Sequence, residues 1–143
     1  MKYRFLLFAL MAVAIVACKK NNDVVPVTSV DWVATENVDQ SQSMTLIIEP
    51  QGEMMSVVDT LQDKVAVFLD QTCLAVSPIT SLEIGYRVYF LIYSPSSTAL
   101  SQQPITIRYF SKAKGAIYDA PTSITFVTDK NIGTTDEPYS ILF

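Results

Sequence analysis

From Met44 to Phe143 the chain is divided into short runs rich in Val, Ile, Thr, Phe and Tyr, none of which holds a helical period. The runs span 44–48, 54–58, 65–69, 72–76, 88–93, 105–110, 116–118, 123–127 and 139–143, with turn residues between them. Strands this short bury their apolar side chains by stacking one sheet on another, so the pattern predicts a single all-β domain, an antiparallel β-sandwich. Glu49-Pro50-Gln51-Gly52 is expected to form a type I turn, with Pro second and Gly fourth. Asp70-Gln71 and Lys114-Gly115 are expected at hairpin joins, and the polar stretch 94–104 as the longest loop. In Val88-Tyr89-Phe90-Leu91-Ile92-Tyr93 both alternating sets are apolar. Such a strand is covered on both sides, the default expectation, or it leaves its Tyr89 and Tyr93 face as a surface patch.

The N-terminal residues bear on location. Lys2 and Arg4 precede an apolar run from Phe5 to Val16, shorter than the ~20 residues a membrane-spanning helix needs. Ile15-Val16-Ala17-Cys18 closes that run and resembles the bacterial lipoprotein signal, with Val16 standing where Ala or Ser is commoner. The resemblance implies that residues 1–17 are a signal peptide and that Cys18 becomes the lipidated N-terminus. A thiolate is a good nucleophile for that attachment, and acyl chains worth ~0.8 kcal/mol per buried CH₂ hold a domain to a bilayer. Residues 18–28 then read as a tether with a reach of roughly 30 Å, and residues 29–143 as the sandwich domain. Lys19 and Lys20 are placed to touch anionic lipid, at about 1 kcal/mol each. Acidic residues soon after the lipidated Cys resemble a surface-display signal of bacteroidete-type envelopes; only Asp23 is present here, so periplasmic and surface-facing positions on the outer membrane both stay open.

Without residues 1–17, 126 residues remain, one domain's worth. Losing Lys2 and Arg4 changes the net charge from −4 to −6, which disfavours nucleic acid as a partner. The chain has no His, which removes the commonest general base and every Ser-His or Cys-His arrangement. Asp63, Asp70, Asp129 and Asp136 could in principle form a glycosidase-type pair, but each reads as a turn or solvated loop residue, so no catalytic residue is assigned. Cys73 is the only thiol besides Cys18 and is expected as a buried core residue. The stretch from Asp129 to Glu137 begins like a calcium loop, yet Gly133 occupies its fifth position and Ser140 its twelfth, so neither metal nor other cofactor is expected. It reads as a solvated turn. Trp32, Tyr86, Tyr93 and Tyr139 are candidate sugar-stacking rings, with Trp32 more simply a core plug. The ending Tyr139-Ser140-Ile141-Leu142-Phe143 looks like the last strand of an outer-membrane barrel, but repeated apolar-out, polar-in segments are missing.

Dispersed positions across 32–142 resemble a module of bacteroidete secreted and envelope proteins. They are Ser43-Met44-Thr45, Asp63-Lys64-Val65-Ala66-Val67-Phe68, Cys73 with Ala75, Ile105-Thr106-Ile107-Arg108-Tyr109-Phe110, Gly115-Ala116-Ile117-Tyr118, Ile124-Thr125-Phe126, and Ile132-Gly133-Thr134 followed by Pro138. After the second block that module usually continues Gly, Glu, Cys, Arg, Gly, where this chain has Gln71-Thr72-Cys73-Leu74-Ala75. The resemblance implies an immunoglobulin-like β-sandwich of unassigned activity. The expectation is a lipid-anchored envelope module that binds protein or polysaccharide without catalysis. An accessory subunit of an envelope or fimbrial assembly is the alternative, and a hydrolase the third reading.

Overall fold

The computed structural model describes residues 26–97 and 99–143; the expected signal peptide, the expected lipidation site Cys18 and the expected tether up to residue 25 lie outside the described residues. The chain folds as an all-β sandwich of two five-stranded sheets. Its strands are β1 (Val38–Gln51), β2 (Lys64–Leu69), β3 (Thr72–Pro78), β4 (Thr80–Leu82), β5 (Gly85–Pro95), β6 (Pro104–Ser111), β7 (Ala116–Asp119), β8 (Ile124–Thr125), β9 (Asn131–Ile132) and β10 (Tyr139–Leu142). The first sheet runs β10-β1-β5-β4, with β9 also on β1; the second runs β3-β2-β6-β7, with β8 on β6. Between β3 and β4 the chain passes from the second sheet to the first at Ile79, which is buried in the core as strands that turn a sandwich corner require.

Alternation places one set of side chains between the sheets. Met44, Leu46 and Ile48 of β1, Phe90 and Ile92 of β5, Val65 and Val67 of β2, and Ile105, Ile107 and Tyr109 of β6 share a single buried cluster. Ala66, Phe68 and Phe110 are also buried but lie outside that cluster, on the outer face of the second sheet. Their cover is the segment 26–37. Val27 N–H donates to the Gly115 carbonyl (2.8 Å) at the β6–β7 hairpin, and Thr35 N–H to the Cys73 carbonyl (2.9 Å) on β3. Between those points Trp32 meets the Phe68 ring edge-on at 5.7 Å. Arg108 adds a cation 4.4 Å from the same ring and pairs with Asp119 at 3.1 Å. Among the described residues, Pro26 and Val27, ahead of residue 29, already contact the domain at Gly115.

Several details differ from the sequence expectations. The run 54–58 is no strand; Glu53–Val57 forms a 3-10 helix that drops Met54 into the core. The expected turn at 49–52 is also displaced, because β1 continues to Gln51. Pro50 is tolerated there since the β5 ladder has already ended at Ile48, so its missing N–H breaks no bond on that side. The chain turns instead at Gly52, whose φ of 135° lies where side-chain-bearing residues rarely go. Both β9 and β10 pair with β1 in parallel, departing from a wholly antiparallel sandwich. Of the run 123–127 only Ile124–Thr125 is strand, while β4 and β9 were not foreseen. The hairpin joins at Asp70-Gln71 and Lys114-Gly115 form where expected.

Candidate binding site

Two short pieces and a turn build the most developed opening. β8 pairs with the start of β6 in the second sheet, whereas β9 and β10 lie along β1 in the first. The gap between them is a cleft of about 530 Å³ lined by Ser123, Ile124, Thr125, Lys130, Asn131, Ile132, Gly133 and Tyr139. Ile124 and Ile132 give it an apolar floor, and Tyr139 presents a ring that is 41 % exposed. Gly133 (φ 74°) is required here, because a Cβ would overlap the Ile47 carbonyl oxygen of the neighbouring strand. The side-chain polar groups of Ser123, Thr125, Lys130, Asn131 and Tyr139 make no hydrogen bond or ion pair within the described residues. Four hydroxyl or amide groups and one ammonium are therefore free to meet a ligand.

The wall that carries Asn131 and Tyr139 is held from outside. Asp129 N–H donates to the Ser43 carbonyl (2.7 Å) and Thr134 N–H to the Glu137 carbonyl (2.9 Å). Arg87, 3 % exposed, donates from Nε to the Thr135 carbonyl (2.8 Å) and from Nη1 to Glu49 (2.9 Å). The stretch from Asp129 to Glu137, read as a simple solvated turn, thus contains a strand and is tied at the Thr135 carbonyl to the buried Arg87. Among the described residues no three Asp, Glu or Cys side chains gather as a metal site would require.

The four candidate rings do not converge. Trp32 covers Phe68, Tyr86 packs against the core cluster, and Tyr93 is half-buried on the outer face of the first sheet; Tyr139 alone reaches the cleft. That outer face resolves the ambiguity of β5. Tyr89 and Leu91 (51 % exposed) stand in the open beside Ile47 and Thr45, so the strand carries a surface patch and the burial expected by default is absent.

Two other assignments change. Asp63 is no solvated loop charge: it is 1 % exposed and accepts from the Tyr109 hydroxyl (2.8 Å), Lys112 N–H (2.7 Å) and Asp59 N–H (3.1 Å). Burial, with Asp63 beside it, pushes the Tyr109 hydroxyl far above the usual phenol range, so it stays protonated and donates. Cys73 is half-buried under segment 26–37, outside the core cluster. Burial raises its thiol above the ordinary value. Apart from Tyr139, named above as a candidate ring, nothing in the sequence pointed to the cleft, whose polar lining residues are individually ordinary surface types. Asp70, Asp129 and Asp136 are exposed, as expected. Comparison with family models, curated proteins and solved structures finds no match to this chain.

Proposed function

We propose that this protein is a non-catalytic binding module of the bacterial outer membrane, anchored through acyl chains on Cys18, and that its ligand is a glycan taken in the cleft between β8 and β9–β10. The observation that carries the reading is the convergence of one exposed ring and five unpartnered polar groups on an apolar floor. A sugar offers a C–H face for the Tyr139 ring and hydroxyls for Ser123, Thr125, Lys130 and Asn131. The volume suits one or two sugar rings. The test is a glycan array probed with residues 18–143 carrying Cys18→Ser. Tyr139→Ala should weaken any hit about tenfold, the worth of a modest aromatic anchor. Binding unchanged in that variant would refute the cleft as the site.

A second reading, an accessory subunit of an envelope assembly, is favoured by a separate observation. The first sheet exposes Tyr89 and Leu91, and beyond Arg87 one edge of β5 has no strand partner among the described residues. Leu91→Lys should then abolish co-purification of a partner while leaving glycan binding intact. Anchoring is tested by feeding cells an acyl-chain analogue, which should mark the wild type and not Cys18→Ala.

A further inference from the structure

Of the six Lys and Arg among residues 26–97 and 99–143, Arg87 and Arg108 are ion-paired, and Lys64, Lys112, Lys114 and Lys130 are not. Three of those four collect on one rim. Lys64 opens β2 and Phe110 faces it near the end of β6, so Lys112 and Lys114 in the following hairpin lie at the same end of the second sheet. Lys64 and Lys112 line a shallow pocket of about 190 Å³ together with Thr28, Ser29 and Gln62. Next to Gln62, Leu61 stands 93 % exposed, the most exposed large apolar side chain described.

Two carboxylates of this rim, Asp59 and Asp63, keep their charge but are turned to hydrogen-bond donors of the fold, and Asp31 follows Val30 of the same pocket. Asp59 accepts from the N–H groups of Leu61 and Gln62 and from the Gln62 side chain, and Asp63 is buried under Tyr109. Glu53 and Glu83 at the same end follow strands β1 and β4 of the other sheet. An apolar tip flanked by three ammonium groups that make no ion pair among the described residues, one of them, on Lys112, donating to the Thr28 carbonyl (2.7 Å), therefore projects from an otherwise acidic protein. This arrangement matches the interfacial layer of an anionic bilayer, where phosphates meet cations and the acyl boundary takes an apolar side chain.

The path of the chain brings this rim to such a surface. Pro26 packs against Gly115 in the same hairpin, so the described chain begins at this rim, beside Lys114. Seven residues lie between Cys18 and Pro26, a reach of at most about 30 Å. We propose that the rim formed by Leu61, Lys64, Lys112 and Lys114 docks on anionic lipid headgroups, with Leu61 entering the interface and the lysines on lipid phosphates. This rests on the lipid-anchor reading for its biological setting, but the surface is testable without the anchor. Docking by this rim fixes the sandwich on the membrane so that β8 and the start of β6 point away from it.

The experiment uses residues 18–143 with Cys18→Ser, floated with vesicles of phosphatidylcholine alone or with an equal share of phosphatidylglycerol. The protein should float with the anionic vesicles only and be released at high salt. Lys64→Gln/Lys112→Gln/Lys114→Gln should weaken partition on the order of a hundredfold. Leu61→Asp should also weaken it, while Lys130→Gln, remote from the rim, should not. Circular dichroism melts confirm that each variant is folded, and Lys112→Arg should restore binding if charge is what matters. Equal binding to neutral vesicles, or binding untouched by the triple change, would overturn the proposal. So would release by millimolar inorganic phosphate at constant ionic strength, which would mark a small-anion site. Because the protein carries no lipid here, failure of acyl labelling at Cys18 remains a separate result.

Discussion

The outer faces of the two sheets start from similar sequence and end differently. In β2, Val65-Ala66-Val67-Phe68-Leu69 is apolar in both alternating registers, and so is 88–93 in β5. On the second sheet the outward set is buried, because Trp32 and its neighbours in 26–37 lie over Phe68 and the backbone of that segment bonds to Gly115 and Cys73. On the first sheet no segment crosses Tyr89 and Leu91 among the described residues. A doubly apolar strand therefore states a need for cover without saying where it comes from. Apolar area out of water is worth about 25 cal/mol per Å², so the covered face contributes to folding and the open one is left for association.

Substitutions can break this contrast or sharpen it. Phe68→Ala should cost about 3 to 4 kcal/mol in urea unfolding, as loss of a buried aromatic does, although Phe68 lies outside the central cluster. A cost below 1 kcal/mol would mean that segment 26–37 does not cover it. Trp32→Ala should cost less, about 1 to 2 kcal/mol, since Trp32 is half-buried and lends mainly its edge contact to Phe68. Leu91→Ser on the open face should stay within about 0.5 kcal/mol. If it proved as costly as Phe68→Ala, the face would be covered in solution and the comparison would fail.

The smallest effect concerns Cys73. Its thiol pKa is raised by burial, so the neutral form is the one the fold favours. That contribution is fully present below the ordinary thiol value of 9.0 and is lost as pH climbs past it. Native protein should react with a thiol reagent more slowly than urea-unfolded protein at pH 7, with the gap persisting at pH 9. Trp32→Ala should narrow that gap by loosening the cover. Rapid native labelling at pH 7 would show that segment 26–37 leaves Cys73 open.

The sandwich was legible because its long strands advertise themselves: the β-branched runs at 65–69, 72–76, 88–93 and 105–110 each became strand. What escaped depends on contacts made far away in sequence. Met54, Met55, Val57 and Val58 have the composition of a strand, and only the continuation of β1 to Gln51 followed by the reversal at Gly52 leaves them as a 3-10 turn. Residues 29–37, read as part of the sandwich domain with Trp32 as a plug, carry Asp31 and Glu36 without any period, so nothing local says which face they cover; that follows from Trp32 meeting Phe68. β9 is two residues long and exists because Gly133 lets the chain approach the Ile47 carbonyl. The cleft inherits that dependence. Tyr139 could be named from sequence as an available ring, but its polar neighbours come from 123–125 and 130–131, brought together by pairing with two different sheets.

The covering segment also has a mechanical consequence. If the protein is held at Cys18 and its ligand is pulled, force enters the domain at Pro26, where the first bond it meets joins Val27 to Gly115. The bonds that follow, Lys112 to Thr28 and Thr35 to Cys73, are strung along the face between this end and the cleft end, so a pull between the two loads them together in shear. The long β1–β5 ladder feels tension only once the chain is stripped to Val38. Stripping the segment frees twelve residues, about 40 Å of contour, before the sandwich itself is strained. Optical-trap traces should accordingly show an early lengthening, at the force that shears this segment, ahead of the main rupture, and in the proposed anchored state the segment would act as a shock absorber between the tether and whatever the module holds.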